Sequence, residues 1–254
     1  LLRIGHKGAD ALVPGNTVAS FERAVETGVD MIEFDVLWTE DGHPSILADE
    51  RSELVVAHDW EAAAAADERG ERLTLDTVLK AFTGPPLDQV LINLDIKLPG
   101  RDEEVMAAVR EHGLLERTSV STMEISTLKR LGQLKREEGL ESGLGLGWTV
   151  PKVTRDWLGM PKVIRPALAM GLASVRVRTP GQVRRGLPQL GVDSVWAFFG
   201  VVTPRLVETV QGAGRKLYVW TVDDPRKIDS LMALGVDGIC SNDPGLLYTR
   251  QLGA

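Results

Sequence analysis

The stretch that most constrains this chain is Met31-Ile32-Glu33-Phe34-Asp35-Val36, an apolar run carrying two acids at i and i+2. In a strand, side chains alternate between faces, so Glu33 and Asp35 point the same way. Two carboxylates on one face of an apolar strand are costly to bury unpaired. A bound cation, a Lys or Arg partner, or an edge position open to water each relieves that cost. This stretch alone leaves all three open.

A second stretch repeats the pattern. In Leu91-Ile92-Asn93-Leu94-Asp95-Ile96-Lys97, the residues Asn93, Asp95 and Lys97 share one face, and Leu94 and Ile96 take the other. Two strands with matched polar faces suggest one polar centre that both reach.

Around these two stretches, apolar strands alternate with helical spacing. Strands are expected near 2–6, 29–36, 90–97, 117–121, 143–148, 192–198, 216–222 and 236–240. Helices are expected near 17–27, 73–82, 102–112, 125–135, 204–211 and 225–234. Leu54 to Ala57 adds a short strand that ends at His58-Asp59, and residues 43–73 read as an excursion beside the main repeat. The alanine run 62–66 has no evident role, and 151–190 is expected to hold one or two helices with a short apolar segment at 173–177. Eight strands followed mostly by helices are the signature of an α/β fold of the (β/α)8 barrel type. The 254 residues suit one such domain over 1–254. A doubly wound sheet is the rival, but Gly5-His6-Lys7-Gly8 lacks the spacing of a dinucleotide fingerprint. In a barrel the reactive face lies at the carboxyl ends of the strands. His6, Glu33, Asp35, His58, Asp95, Lys97, Trp148 and Trp220 all fall at or just past such ends.

Charge and cysteine content narrow the chemistry. With 36 acidic against 29 basic residues, the net charge is -7. That disfavours nucleic-acid partners, whose nonspecific binding rests on neutralising phosphates. It leaves room for a small phosphorylated substrate held by a local cation. Cys240 is the sole cysteine, so neither an internal disulfide nor a thiolate zinc site can form. It is expected to be a small buried side chain. No apolar run reaches membrane-spanning length, so stable membrane insertion is not expected. The compartment reads as cytoplasmic, with a removed signal peptide left open, and the oligomeric state is open.

Taken in order, the motifs resemble the glycerophosphodiester phosphodiesterases. That family's His-Arg-Gly, Pro-Glu-Asn-Thr, Ile-Glu-x-Asp-Val, Thr-x-Asp-Gly and His-Asp stretches correspond to His6-Lys7-Gly8, Pro14-Gly15-Asn16-Thr17, Ile32-Glu33-Phe34-Asp35-Val36, Thr39-Glu40-Asp41-Gly42 and His58-Asp59. Asp95-Ile96-Lys97, Trp220-Thr221-Val222 and Gly235 through Ile239 match later pieces. The resemblance covers nearly the whole chain. It implies a TIM barrel of the phospholipase C-like phosphodiesterase type that releases sn-glycerol 3-phosphate and an alcohol. His6 and His58 would be the acid–base pair. Glu33, Asp35 and Asp95 would ligate a divalent ion. Lys7, Lys97, Asn16, Trp148 and Trp220 would bind the phosphate or the rest of the substrate. Oxygen ligands suit a hard cation, Mg2+ or Ca2+, with Mn2+ also compatible.

Three departures stand out. Lys7 replaces the usual Arg and loses its bidentate fork. Gly15 replaces the Glu of Pro-Glu-Asn-Thr. Asp95 is shorter than the usual Glu. The residue types fit the chemistry: a cation and a lysine offset the phosphodiester's charge, and two histidines can exchange protons with nucleophile and leaving oxygen. Two further readings remain: a phospholipase-like enzyme with a lipid substrate, and a barrel that binds a phosphorylated ligand with weak turnover. His43 and His112 read as surface residues.

Overall fold

The computed structural model describes residues 1–38, 53–139, 143–152 and 165–251, the last with backbone only over 165–170 and 249–251. The elements run β1 (Leu2–His6), α1 (Val18–Glu26), β2 (Met31–Trp38), β3 (Leu54–Val55), α2 (Trp60–Glu68), α3 (Leu75–Ala81), β4 (Leu91–Ile96), α4 (Asp102–Glu111) and β5 (Thr118–Thr122). They continue as α5 (Ile125–Glu137), β6 (Gly145–Val150), α6 (Arg165–Leu190), β7 (Ser194–Phe198), α7 (Pro204–Gln211), β8 (Lys216–Trp220), α8 (Pro225–Ala233), β9 (Gly238–Ser241) and α9 (Gly245–Gln251). Every strand except β3 pairs in parallel with its neighbours, and β1 bonds both β9 and β2, which closes an eight-stranded barrel. β3 is antiparallel to the end of β2, with Leu37 opposite Val55. It delivers the chain to His58.

Local chemistry sets the helix starts. Side-chain oxygens of Thr17, Asp59, Thr74, Thr203 and Asp224 each accept from a backbone N–H in the first turn, satisfying donors the helix itself cannot pair. Thr17 is the cap of α1. Proline opens both α7 and α8, where its missing N–H costs nothing.

Register then sorts the two faces of each strand. Ile32, Phe34 and Val36 join the apolar layer between barrel and helices. There Phe21, Phe34 and Phe82 pack with ring centroids 5.3 to 5.7 Å apart. Emptying such a site by Phe→Ala typically costs about 3–5 kcal/mol, so this cluster firmly sets the seat of β2. The other face lines the barrel. Glu33 lies opposite His6 and Asn93, and Asp35 opposite Asp95. Asn93 and Asp95 lie opposite Ser119 and Ser121, and Ser121 opposite Gly147. Below the polar layers, Ile4, Met31, Trp196 and Cys240 form a separate apolar cluster. A Cβ on Gly147 would lie 2.5 Å from Trp196 Nε1, so the missing side chain there leaves the room that the Trp196 ring takes.

Two expectations are made definite. The 151–190 region contains, over its described part, one helix that runs through 173–177 and through Pro180 and Pro188. His112 caps the C-terminus of α4 and pairs with Asp76 at 2.8 Å, its side chain mostly covered. His43 and the Thr39-Glu40-Asp41-Gly42 stretch lie outside the described residues. No helix among the described residues is long and apolar enough to cross a membrane.

Candidate active site

At the carboxyl ends of β2 and β4, one ligand oxygen each from Glu33, Asp35 and Asp95 lie within 4.8 Å of one another. The strand register alone explains this: Asp35 and Asp95 are direct neighbours, and Glu33 is two residues back on the same face. The shorter Asp95 thus still reaches the cluster. All three are buried or nearly so.

Other side chains hold the acids in place. Asn16 spans Asp35: its Nδ2 donates to Oδ2 at 3.0 Å, and its Oδ1 accepts from the Asp35 N–H at 3.1 Å. Asn16 has φ +57°, a left-handed conformation that Asn tolerates better than most residues. The Lys7 N–H donates to Glu33 Oε2 at 3.1 Å. Ser119 donates to Asn93, Asn93 to Ser121, and Ser121 to Asp95, at 2.8, 2.8 and 2.9 Å. That relay anchors Asp95 from inside the barrel.

Lys97 Nζ sits 2.5 Å from both Asp35 Oδ1 and Asp95 Oδ2. Asp35 Oδ1 nevertheless has no hydrogen bond of ordinary geometry, so the contact is an ion pair. Burial opposes every charge here, and the neighbours decide the outcome. Burial, then Asp35, push the Glu33 carboxyl up to about 8. For Asp35 burial is outweighed by Lys97 and His58, which hold it well below the usual carboxylate range. Lys97 is likewise raised despite burial, by Asp35 and Asp95. Three acids against one lysine leave excess negative charge, and all the ligand atoms are hard oxygens. The set fits a divalent cation. Cys240, below the site, is no ligand; burial pushes its thiol well up.

The two histidines flank this cluster, each fixed through Nδ1. His6 Nδ1 lies 2.6 Å from Asn242 Oδ1, and its Nε2 is 4.0 Å from Glu33 Oε2. The Asn242 amide donates in turn to Asp223 at 2.7 Å, and a carboxylate only accepts. The Asn242 oxygen therefore faces His6, Nδ1 carries the proton, and Nε2 has a free lone pair. Burial lowers the His6 pKa. His58 Nδ1 lies 3.0 Å from Asp35 Oδ2. Asp59, its sequence neighbour, caps α2 instead.

A small cavity of about 70 Å3 lies between these groups, lined by His6, His58, Glu33, Lys97, Trp196 and Trp220 among others. Trp220 lines this cavity. Trp148, expected beside the substrate, does not line it: it is buried in the outer layer, where its ring packs over Gly186 of α6. β6 continues to Val150, and Thr149 is the residue that lines the cavity. Lys7 Nζ is 3.9 Å from Asp10 and 4.0 Å from Asp35, at the margin of the cluster. Asn242, Asp223, Ser121, Thr149 and Trp196 were missed. For Ser121, Thr149 and Trp196 the period of two on their strands was the available signal.

A model of the glycerophosphoryl diester phosphodiesterase family matches residues 6–246. A glycerophosphodiester phosphodiesterase of Caldanaerobacter subterraneus subsp. tengcongensis is 28% identical over 97% of this chain and 96% of its own. Among solved structures, a glycerophosphodiester phosphodiesterase from Parabacteroides distasonis superposes with TM-score 0.70 at 21% identity, covering 99% and 97% of the two chains. A phosphodiesterase of Oleispira antarctica, solved with the product sn-glycerol-3-phosphate, gives TM-score 0.64 at 18% identity, covering 98% and 96%.

Proposed function

The chain belongs to the glycerophosphoryl diester phosphodiesterase family, and from that premise we propose a metal-dependent, two-histidine hydrolysis that splits a glycerophosphodiester into sn-glycerol 3-phosphate and an alcohol. That the chain is a glycerophosphodiester phosphodiesterase follows from its family and relatives. The cation and the residue roles are the part proposed. The observation that carries them is the convergence of Glu33, Asp35 and Asp95 within 4.8 Å, flanked by His6 and His58.

Glu33, Asp35 and Asp95 would hold the cation, Mg2+ or Ca2+. Bound there, it would offset the charge of the phosphate and the further charge that grows in the transition state. The remaining work falls to side chains. Lys97, already among the acids, adds positive charge at the same place and binds a phosphate oxygen. Lys7 extends that positive edge. His6, held through Nδ1 by Asn242, and His58, held through Nδ1 by Asp35, each present Nε2 for proton transfer. One takes the proton of the nucleophile, either the adjacent glycerol hydroxyl or water. The other supplies the proton with which the alcohol departs. Asn16 acts by fixing Asp35 rather than by touching substrate. Trp220, whose buried Nε1 has no hydrogen-bond partner, offers a donor to the glycerol part.

Choline release from glycerophosphocholine tests the reading. Turnover should require added Mg2+ or Ca2+ and stop in excess chelator. Absence of turnover of this ester and of simple alkyl esters with every cation would leave the weakly active binding barrel instead.

A further inference from the structure

Beside the catalytic cavity lies a second and larger depression of about 270 Å3. One wall is the β1–α1 connection, including Lys7, Gly15 and Asn16. The other is α2 and the segment that leads into it, including Val56, Ala62 and Ala66. His58 lines both this groove and the catalytic cavity. A phosphate placed against His58 and Lys97 thus has two exits: the small cavity of about 70 Å3 within the barrel mouth, and the groove.

The groove accounts for two features without an evident role. The alanine run of α2 presents only methyl groups, so the helix bounds open space instead of filling it. Gly15, in place of the expected Glu, adds no side chain to the opposite wall, where Lys7 and Asp10 lie 3.9 Å apart. The alanine wall removes apolar surface from water when an aliphatic group lies on it. It offers a cationic head group little. No Phe, Tyr or Trp is among the described lining residues, so none of them offers a quaternary ammonium a cation–π contact. The charged groups at the rim have partners: Arg69 pairs with Glu71 at 2.6 Å, Arg72 with Glu53 at 3.1 Å, and Lys7 approaches Asp10 at 3.9 Å.

We propose that this groove is the subsite for the departing alcohol and that it selects uncharged aliphatic alcohols over choline. The proposal rests on the glycerophosphodiester reading above. It places glycerol in the barrel mouth, the phosphate beside His58, and the alcohol chain between Gly15 and α2.

The test uses the cation-loaded full chain and a series of sn-glycero-3-phosphoalkanols, methyl, butyl and hexyl, with glycerophosphocholine alongside. Release of glycerol 3-phosphate is the readout. kcat/KM should rise about two- to fourfold for each methylene that reaches the groove, and the butyl ester should exceed the choline ester. Ala66→Phe, which fills the groove, should abolish the gain with chain length and leave the methyl ester within about twofold. Ala62→Leu, at an exposed position on the same wall, should give a weaker version, and it covers the case in which the larger variant fails to fold. A flat chain-length series with good turnover of the methyl ester would overturn the groove assignment alone. Equal losses for methyl and butyl esters in a folded variant would do the same. No turnover of any ester would overturn the catalytic reading, and the groove with it.

Discussion

His6 and Asn242, separated by 236 residues in the chain, meet at 2.6 Å between Nδ1 and Oδ1. Barrel closure makes this contact, because β1 pairs directly with β9 and both residues lie at the carboxyl ends of those strands. Asp223 fixes the amide by accepting from Asn242 N–H and Nδ2 at 2.8 and 2.7 Å. Asn242→Ala should therefore lower kcat by about ten- to a hundredfold, less than loss of the histidine itself, which typically costs about 10² to 10⁴. KM should hold, and the pH profile should shift because the His6 tautomer is no longer set. Steady-state kinetics across pH checks this. An unchanged profile would make Asn242 a purely structural neighbour.

Glu33 makes cation binding and stability depend on pH. Its carboxyl is raised to about 8 from an ordinary value of 4.5 by burial and Asp35. Between those values the folded, metal-free protein keeps a proton that the unfolded chain gives up. Stability should then fall as pH rises from about 4.5 to about 8. Asp35 has the opposite sign: held low, it contributes fully above the ordinary aspartate value, and that contribution is lost in acid. A cation must displace the Glu33 proton, so its affinity should increase with pH up to about 8. Thermal melts of chelated protein and calorimetric titrations over pH 5–8 measure both effects. Glu33→Gln should flatten the melting trend and weaken binding greatly. The same slope in the variant would assign it to another group.

Gly15, Asp10 and Lys7 form one unit. The Gly15 N–H donates to Asp10 Oδ1 at 2.8 Å, and a Cβ at position 15 would lie 2.6 Å from that same oxygen and 2.7 Å from Lys7 Cβ. The space of the missing side chain is taken by Asp10. Gly15→Ala should raise KM about tenfold by pushing Asp10 and Lys7 aside, and Asp10→Gly in the same chain should restore much of the loss. Lys7→Arg should lower KM, because the bidentate fork suits phosphate better than a point charge. Michaelis constants for the four proteins decide between this coupling and independent effects.

The barrel was legible because its two signals are local and periodic. Acids two apart in an apolar run fix a face, and a face fixes what a strand offers the barrel interior. Glu33, Asp35 and Asp95 follow from that rule. The same rule counted correctly excludes Trp148, which shares its face with Leu146 and not with Gly147 and Thr149. Helix α6 is hard to see in the sequence because proline disfavours a helix interior, yet the structure carries the helix through Pro180 and Pro188. Asn242 had no local signature; only closure of the barrel brings it to His6. His58 was expected near the site, but its partner Asp35 comes from β2, whereas sequence adjacency points to Asp59.

The central claim is that His6 and His58 move the protons while the carboxylates hold the ion. Turnover of glycerophosphocholine by His6→Ala and His58→Ala, measured together with calorimetric cation binding, tests it most directly. Each variant should lose about 10² to 10⁴ in kcat and still bind one divalent ion at the affinity of the parent protein. Full activity in both variants would contradict the account, even with the barrel and the ion site intact.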